Sequence, residues 1–117
     1  MAIISLTKKD FLERVLDYET DPDKWKFLGT KPVIVDFYAQ WCGPCKAMAP
    51  LLEDLSEEYK GKVDFYKVDV DKEEELAGVF RVMSIPTLLL IPHNSKPKVM
   101  VGATSKDKLR ENINSIL

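Results

Sequence analysis

The chain has two cysteines, one histidine and five glycines among 117 residues, and each shortage removes a class of protein. One cysteine pair cannot build the disulfide framework of a small secreted domain. Two cysteines and a lone histidine fall short of the four ligands of a structural zinc site. Nor is there an excess of either charge. Lysine and arginine total 17 and aspartate and glutamate 19, giving a net charge of −2 without a long block of one sign. That balance excludes a nucleic-acid or anionic-membrane partner as an expectation. No apolar run approaches the roughly 20 residues of a membrane span. The start, Met1 to Thr7, meets Lys8, Lys9 and Asp10 without the charged and apolar regions of a signal peptide. The chain is therefore expected in the cytoplasm, or in the periplasm if a leader has been removed. Repeats, low-complexity tracts and a G-x-G-x-x-G nucleotide motif are also missing. What remains is 45% hydrophobic and 31% charged, the composition of one globular domain over residues 1–117. A fold of this length buries roughly two-thirds of its unfolded surface and needs no staple.

Hydrophobic periodicity divides the chain into an alternating series. Thr7 reads as an N-cap with Asp10 three residues on, opening a helix that carries Phe11, Leu12, Val15 and Leu16. Residues 18–32 are polar and broken by Asp21-Pro22 and Gly29, which predicts a loop or short helix with Trp25 as a packing anchor. Val33 to Tyr38 is apolar on both faces, as in a sheet covered on both sides. From 43 to 59 a helical stripe of Met48, Leu51, Leu52, Leu55 and Tyr59 follows, with Pro50 expected to kink it. Val63 to Val70 is a strand rich in β-branched and aromatic residues. Glu73 to Val82 is a short helix with Leu76, Val79 and Phe80 inward and Glu73-Glu74-Glu75 favouring its dipole. Thr87 to Ile91 is a buried strand, stopped by Pro92, with Asn94-Ser95 as a turn. Lys98 to Val101 is an edge strand after Pro97. Ser105 caps a last helix bearing Leu109, Ile113, Ile116 and Leu117. The order predicts an α/β fold, its sheet parallel in the centre with a hairpin at one side.

Cys42 and Cys45 fall at the junction of the strand at 33–38 and the helix at 43–59, inside Trp41-Cys42-Gly43-Pro44-Cys45-Lys46. A bridge between residues so close removes little unfolded-chain entropy, so redox use explains the pair better than stapling. The attacking species is a thiolate. Cys42 should open the helix, where unpaired N–H groups and the dipole favour its anion. Pro44 suits the first turn, where its missing N–H is harmless. One turn on, Cys45 should lie on the same face, deeper and more protonated. Cys42 then attacks and Cys45 resolves the mixed disulfide. Resolution needs a base, and Asp36, a carboxylate in an apolar strand, is the candidate because burial raises its pKa. Lys67 interrupts the strand at 63–70, a pattern that fits equally a partner for Asp36 and an exposed lysine on a half-covered strand.

The residues Val35-Asp36-Phe37, Trp41 to Lys46, Pro50, Lys67, Ile85-Pro86-Thr87 and Val101-Gly102 resemble, in order and spacing, the thioredoxin family across about residues 33–117. The resemblance implies a thioredoxin fold: a central mixed β-sheet flanked by helices on both faces. It implies a protein-disulfide reductase, acting as a monomer through the Cys42–Cys45 redox disulfide with no bound cofactor or metal. Pro86 corresponds to the family's cis-proline. Trp41, Gly43, Pro44, Ile85, Pro86 and Gly102 would form a flat substrate-docking surface, with Asp36 as buried base and Lys67 as its partner. The implied partners are disulfide-containing proteins and a separate NADPH- and flavin-dependent thioredoxin reductase. Tyr38 stands where the family usually has tryptophan, and Gln40 where an acidic or small residue is common.

Three other readings compete. A thiol oxidant or isomerase would use the same fold, but Gly43-Pro44 resembles the reducing members, whereas oxidants more often carry histidine there. A zinc site lacks ligands, since His93 reads as a solvated loop residue. A docking module with incidental redox chemistry fits poorly with an intact motif. Met48, Met83 and Met100 are expected to pack in the core or near the site.

Overall fold

A computed structural model describes residues 3–19, 28–93 and 96–117. The expectations for Trp25, for Asp21-Pro22 and for the Asn94-Ser95 turn lie outside the described residues. Among the described residues, nine elements run in the order β1 (Ile3–Ser5), α1 (Lys8–Arg14), β2 (Val33–Tyr38), α2 (Gly43–Glu58), β3 (Asp64–Asp69), α3 (Glu74–Val79), β4 (Thr87–Ile91), β5 (Lys98–Val101) and α4 (Lys106–Asn114).

The helix starts follow from their caps. Thr7 Oγ1 accepts the Asp10 N–H while the Asp10 carboxylate accepts the Thr7 N–H, a reciprocal capping box. Ser105 Oγ accepts the Lys108 N–H at the head of α4. Glu73 is the N-cap residue of α3, but its side chain accepts no N–H of that helix. Its carboxylate instead accepts the Lys8 N–H at 2.7 Å, tying the start of α1 to the start of α3. α3 ends earlier than expected, because Arg81 has a positive φ of 52° that no helix can include. Its inward residues are Leu76, Ala77 and Phe80, and Val79 is exposed, contrary to the periodicity reading. Leu117 likewise lies beyond α4 and is exposed. α2 stays one continuous helix across Pro50.

The strand order is β1-β3-β2-β4-β5. β1 and β2 flank β3 in parallel, whereas β2 pairs antiparallel with β4, and β4 with β5. The sheet is therefore mixed at its middle strand, and its parallel part is one half rather than the centre. Alternation along β2 divides the core between two faces. Val33, Val35 and Phe37 join Phe11, Val15, Leu16 and Leu76 beneath α1 and α3. On the other face Ile34 joins Met48, Leu52, Leu55, Leu109 and Ile113 beneath α2 and α4. Asp36 shares the parity of Ile34, so its carboxyl enters the α2 side of a core otherwise built from apolar side chains. No described helix is long and apolar enough to cross a membrane.

Candidate active site

β2 ends at Tyr38, and the chain turns through Ala39, Gln40 and Trp41 into α2. The Cys42 N–H donates to the Ala39 carbonyl at 3.2 Å, closing that turn. Cys42 is the N-cap of α2 rather than its first helical residue, with an extended backbone of φ −85° and ψ 112°. Its side chain does what an N-cap oxygen does elsewhere: Sγ accepts the Cys45 N–H at 3.2 Å. An amide dipole and a helix N-terminus thus point at the Cys42 sulfur and favour a negative charge there. Pro44 occupies the first turn, as its missing N–H allows.

A disulfide joins Cys42 and Cys45, with Cα atoms 5.3 Å apart. The two residues are equally buried, each 4% exposed, so the expected greater depth of Cys45 is not observed. They differ in surroundings. Cys42 Sγ carries the helix N–H and lies 3.9 Å from the Ile85 carbonyl oxygen. Ala39, Tyr38, Val70 and Ile85 pack around the pair.

Asp36 is 8% exposed, and its Oδ1 has no hydrogen-bond partner. Burial pushes its pKa from 3.8 up to about 7, with the charge of Lys67 opposing the rise. Lys67 is the cross-strand neighbour of Asp36 in the β2–β3 register. The expected ion pair is nevertheless absent from the salt bridges among the described residues. The ammonium lies instead over the Tyr38 ring, 5.8 Å from its centroid.

The loop before β4 brings Ile85-Pro86 against the cysteines, and the peptide bond between them is cis. Gly102, at φ +91°, donates its N–H to the Pro86 carbonyl at 2.8 Å, which joins the end of β5 to that loop. Gly43 and Pro44 are exposed beside Cys42, Ile85 is half-buried and Pro86 is buried. Trp41 is 69% exposed, yet its indole N–H is anchored on Asp71 Oδ2 at 2.7 Å. Sequence reasoning missed Asp71, although Asp69 and Asp71 alternate at the end of β3 beside the motif. Asp69 in turn accepts from Gln40 Nε2 at 3.4 Å and from the Asp71 N–H at 3.0 Å. Met83, expected to pack, is 92% exposed just ahead of Ile85. Met48 is core, as expected, and Met100 is half-buried against it. Among the described residues, no three His, Cys, Asp or Glu side chains converge as metal ligands would.

The thioredoxin family model matches residues 2–115 of the chain. Over 110 residues the chain is 51% identical to the thioredoxin of Borreliella burgdorferi, covering 94% of this chain and 92% of that protein. It is 43% identical over 107 residues to thioredoxin C-2 of Corynebacterium nephridii, covering 92% and 89%. With the thioredoxin of Bacillus subtilis it shares 46% identity over 85 residues, covering 73% and 82%.

Proposed function

The chain belongs to the thioredoxin family and is a thiol–disulfide oxidoreductase of the protein-disulfide reductase type; we propose that Cys42 is its attacking thiolate and Cys45 its resolving thiol. The observation that carries this order is the Cys45 N–H donated to Cys42 Sγ at the head of α2, which favours the anion on Cys42 alone.

In the reduced chain, the Cys42 thiolate attacks one sulfur of a protein disulfide. A Cys42–substrate disulfide forms, and the other substrate sulfur leaves as a thiolate that takes a proton from water. The Cys45 thiol then passes its proton to the Asp36 carboxylate and attacks the Cys42 sulfur. The second substrate thiolate leaves, and Cys42–Cys45 closes. Two electrons have reached the substrate; its second thiolate takes a proton from water, and the Cys45 proton rests on Asp36 until solvent takes it. A carboxyl with a pKa of about 7 suits this transfer, being ionised often enough to accept and basic enough to hold the proton. Lys67 modulates that carboxyl from the neighbouring strand.

The docking surface is Trp41, Gly43, Pro44, Ile85, Pro86 and Gly102, and its support is the exposure of Trp41, Gly43 and Pro44 around the buried pair. The return of electrons to Cys42–Cys45 falls to a separate thioredoxin reductase, with NADPH and flavin on that partner. A reducing compartment, the cytoplasm, suits this cycle.

Cys45→Ser is the direct test. The variant is expected to accumulate covalent complexes with protein disulfides through Cys42, while Cys42→Ser accumulates none. Complexes trapped through Cys45 in the Cys42→Ser variant, or none in either, would reverse or remove the assigned order. The unaltered chain should accelerate insulin reduction by dithiothreitol.

A further inference from the structure

Asp36, Tyr38, Lys67 and Asp69 lie on one face at the end of the β2–β3 ladder. Asp36 is directly opposite Lys67, and Tyr38 is directly opposite Asp69. Tyr38 and Lys67 are therefore diagonal neighbours, a separation that an aromatic ring and a long side chain readily span. The Lys67 ammonium has two carboxylates within its reach on this face and makes no salt bridge with either among the described residues. It rests over the Tyr38 ring at 5.8 Å from the centroid, within the range of a cation–π contact. Asp69 is occupied by Gln40 Nε2 and the Asp71 N–H. Asp36 is left with Oδ1 unbonded.

We propose that Tyr38 is a positioning residue, whose ring draws the Lys67 ammonium toward the end of the sheet and away from Asp36, so that the buried carboxyl stays unpaired. The physical reason is desolvation. Pairing with Asp36 would take an ammonium into a site that is 8% exposed, at a cost the Coulomb attraction only partly offsets. Over the ring, the ammonium keeps the half-exposed position that lets its stem lie on apolar surface while its head meets water. β4 presents the uncharged Leu88 in register, Lys67 is the one charge among the described residues that acts on the carboxyl, and Cys42 and Cys45 carry no charge while the disulfide is closed. Asp36 thus keeps the raised pKa that burial imposes. This deepens, and rests on, the assignment of Asp36 as the proton acceptor for Cys45. The departure at residue 38, tyrosine in place of the tryptophan usual in the family, then keeps the aromatic face that the device needs.

The test is the titration of the Asp36 side-chain carboxyl, followed by carbon NMR in the oxidised full chain. Tyr38→Leu should lower its midpoint by about one pH unit, as the freed ammonium approaches the carboxylate. Tyr38→Phe, which keeps the ring, should leave it within a few tenths of a unit. In a Lys67→Met background, Tyr38→Leu should have no such effect, because the ring acts through the ammonium and not through burial. An equal shift with and without Lys67, no shift at all, or a Tyr38→Phe shift matching that of leucine would each overturn the proposal. Should Tyr38→Leu fail to fold, the unaltered chain still decides. The Lys67 ε-methylene protons should resonate upfield under the ring current, and ordinary shifts would overturn it. A midpoint that moves as expected while the pH profile of Cys45 resolution does not follow supports the positioning role and removes Asp36 as the base.

Discussion

Replacing Asp36 with asparagine should stabilise the oxidised protein in alkaline solution and hardly at all in acid. The carboxyl is 8% exposed on the α2 side of the core, with its pKa raised from 3.8 to about 7, first by burial and against the pull of Lys67. A proton is therefore held more tightly in the folded state than in the unfolded one. Between pH 3.8 and 7 the unfolded chain has released it and the folded chain has not, so stability falls as pH rises through that window. Above pH 7 both states are ionised and the full cost is present. A separation of about 3 pH units at 1.36 kcal/mol each corresponds to about 4 kcal/mol. Asparagine is neutral throughout. Its fixed effects on packing and hydrogen bonding do not vary with pH, so they cancel when the difference between the two proteins is compared across pH. Equilibrium unfolding in urea at pH 4, 6, 7 and 8.5 measures this. The stability gain of Asp36→Asn should grow by about 4 kcal/mol from pH 4 to 8.5, which moves its relative midpoint by about 2 M urea. A gain that is flat across pH, or that shrinks as pH rises, would refute the account of Asp36 as a carboxyl whose ionised form the fold disfavours.

Two glycines beside the site should behave oppositely. A Cβ at either Gly43 or Gly102 meets nothing within 4 Å, but Gly102 has φ +91°, so Gly102→Ala should cost about 1–2 kcal/mol by thermal unfolding while Gly43→Ala costs nothing; equal melting temperatures would show that the backbone at 102 relaxes freely. Asp71→Ala should release the Trp41 indole and, through the loss of about 1 kcal/mol of charged hydrogen bonding, raise KM for a protein disulfide about five-fold with kcat held; an unchanged KM would separate the indole anchor from docking.

Apolar runs bounded by turn residues carried most of the fold. β2, β4 and β5 occupy the residues that the sequence marks, because proline or a polar break stands beside each run. The caps at Thr7 and Ser105 were legible for the same local reason. Pairing direction was not local. Nothing within β4 says that it runs against β2, so the alternation of elements puts the parallel pairing at the centre of the sheet, and only the family resemblance implies the mixed sheet that is observed. Val79 and Leu117 failed because each is apolar at a plausible helical phase, yet the helix has ended or turned away by then. At the site, Cys42, Cys45 and Asp36 were visible as exceptions to their surroundings. The anchoring of Trp41 by Asp71 and the seat of Lys67 over Tyr38 depend on register between β2 and β3, which no single strand records.

Asp36 sits where the packing alone would select an aliphatic side chain. Its neighbours of the same parity, Ile34 in β2 and Leu88 in β4, are each 1% exposed and fill the cluster beneath α2. A carboxyl there lowers stability whenever it is ionised, and the nearest cation lies over Tyr38 instead of neutralising it. A residue that fails the local rules of a core without repair by its neighbours marks a site where chemistry outweighs stability. The opposition has a definite form here. If the ionised carboxylate that burdens the fold above pH 7 takes the Cys45 proton, as proposed, any change that relieves the burden by neutralising Asp36 must slow resolution of the mixed disulfide. Changes that relieve it by pairing, such as releasing Lys67 from Tyr38, keep the charge but weaken the base. Stability and turnover can therefore rise together only through residues that touch neither Asp36 nor the groups that set its ionisation.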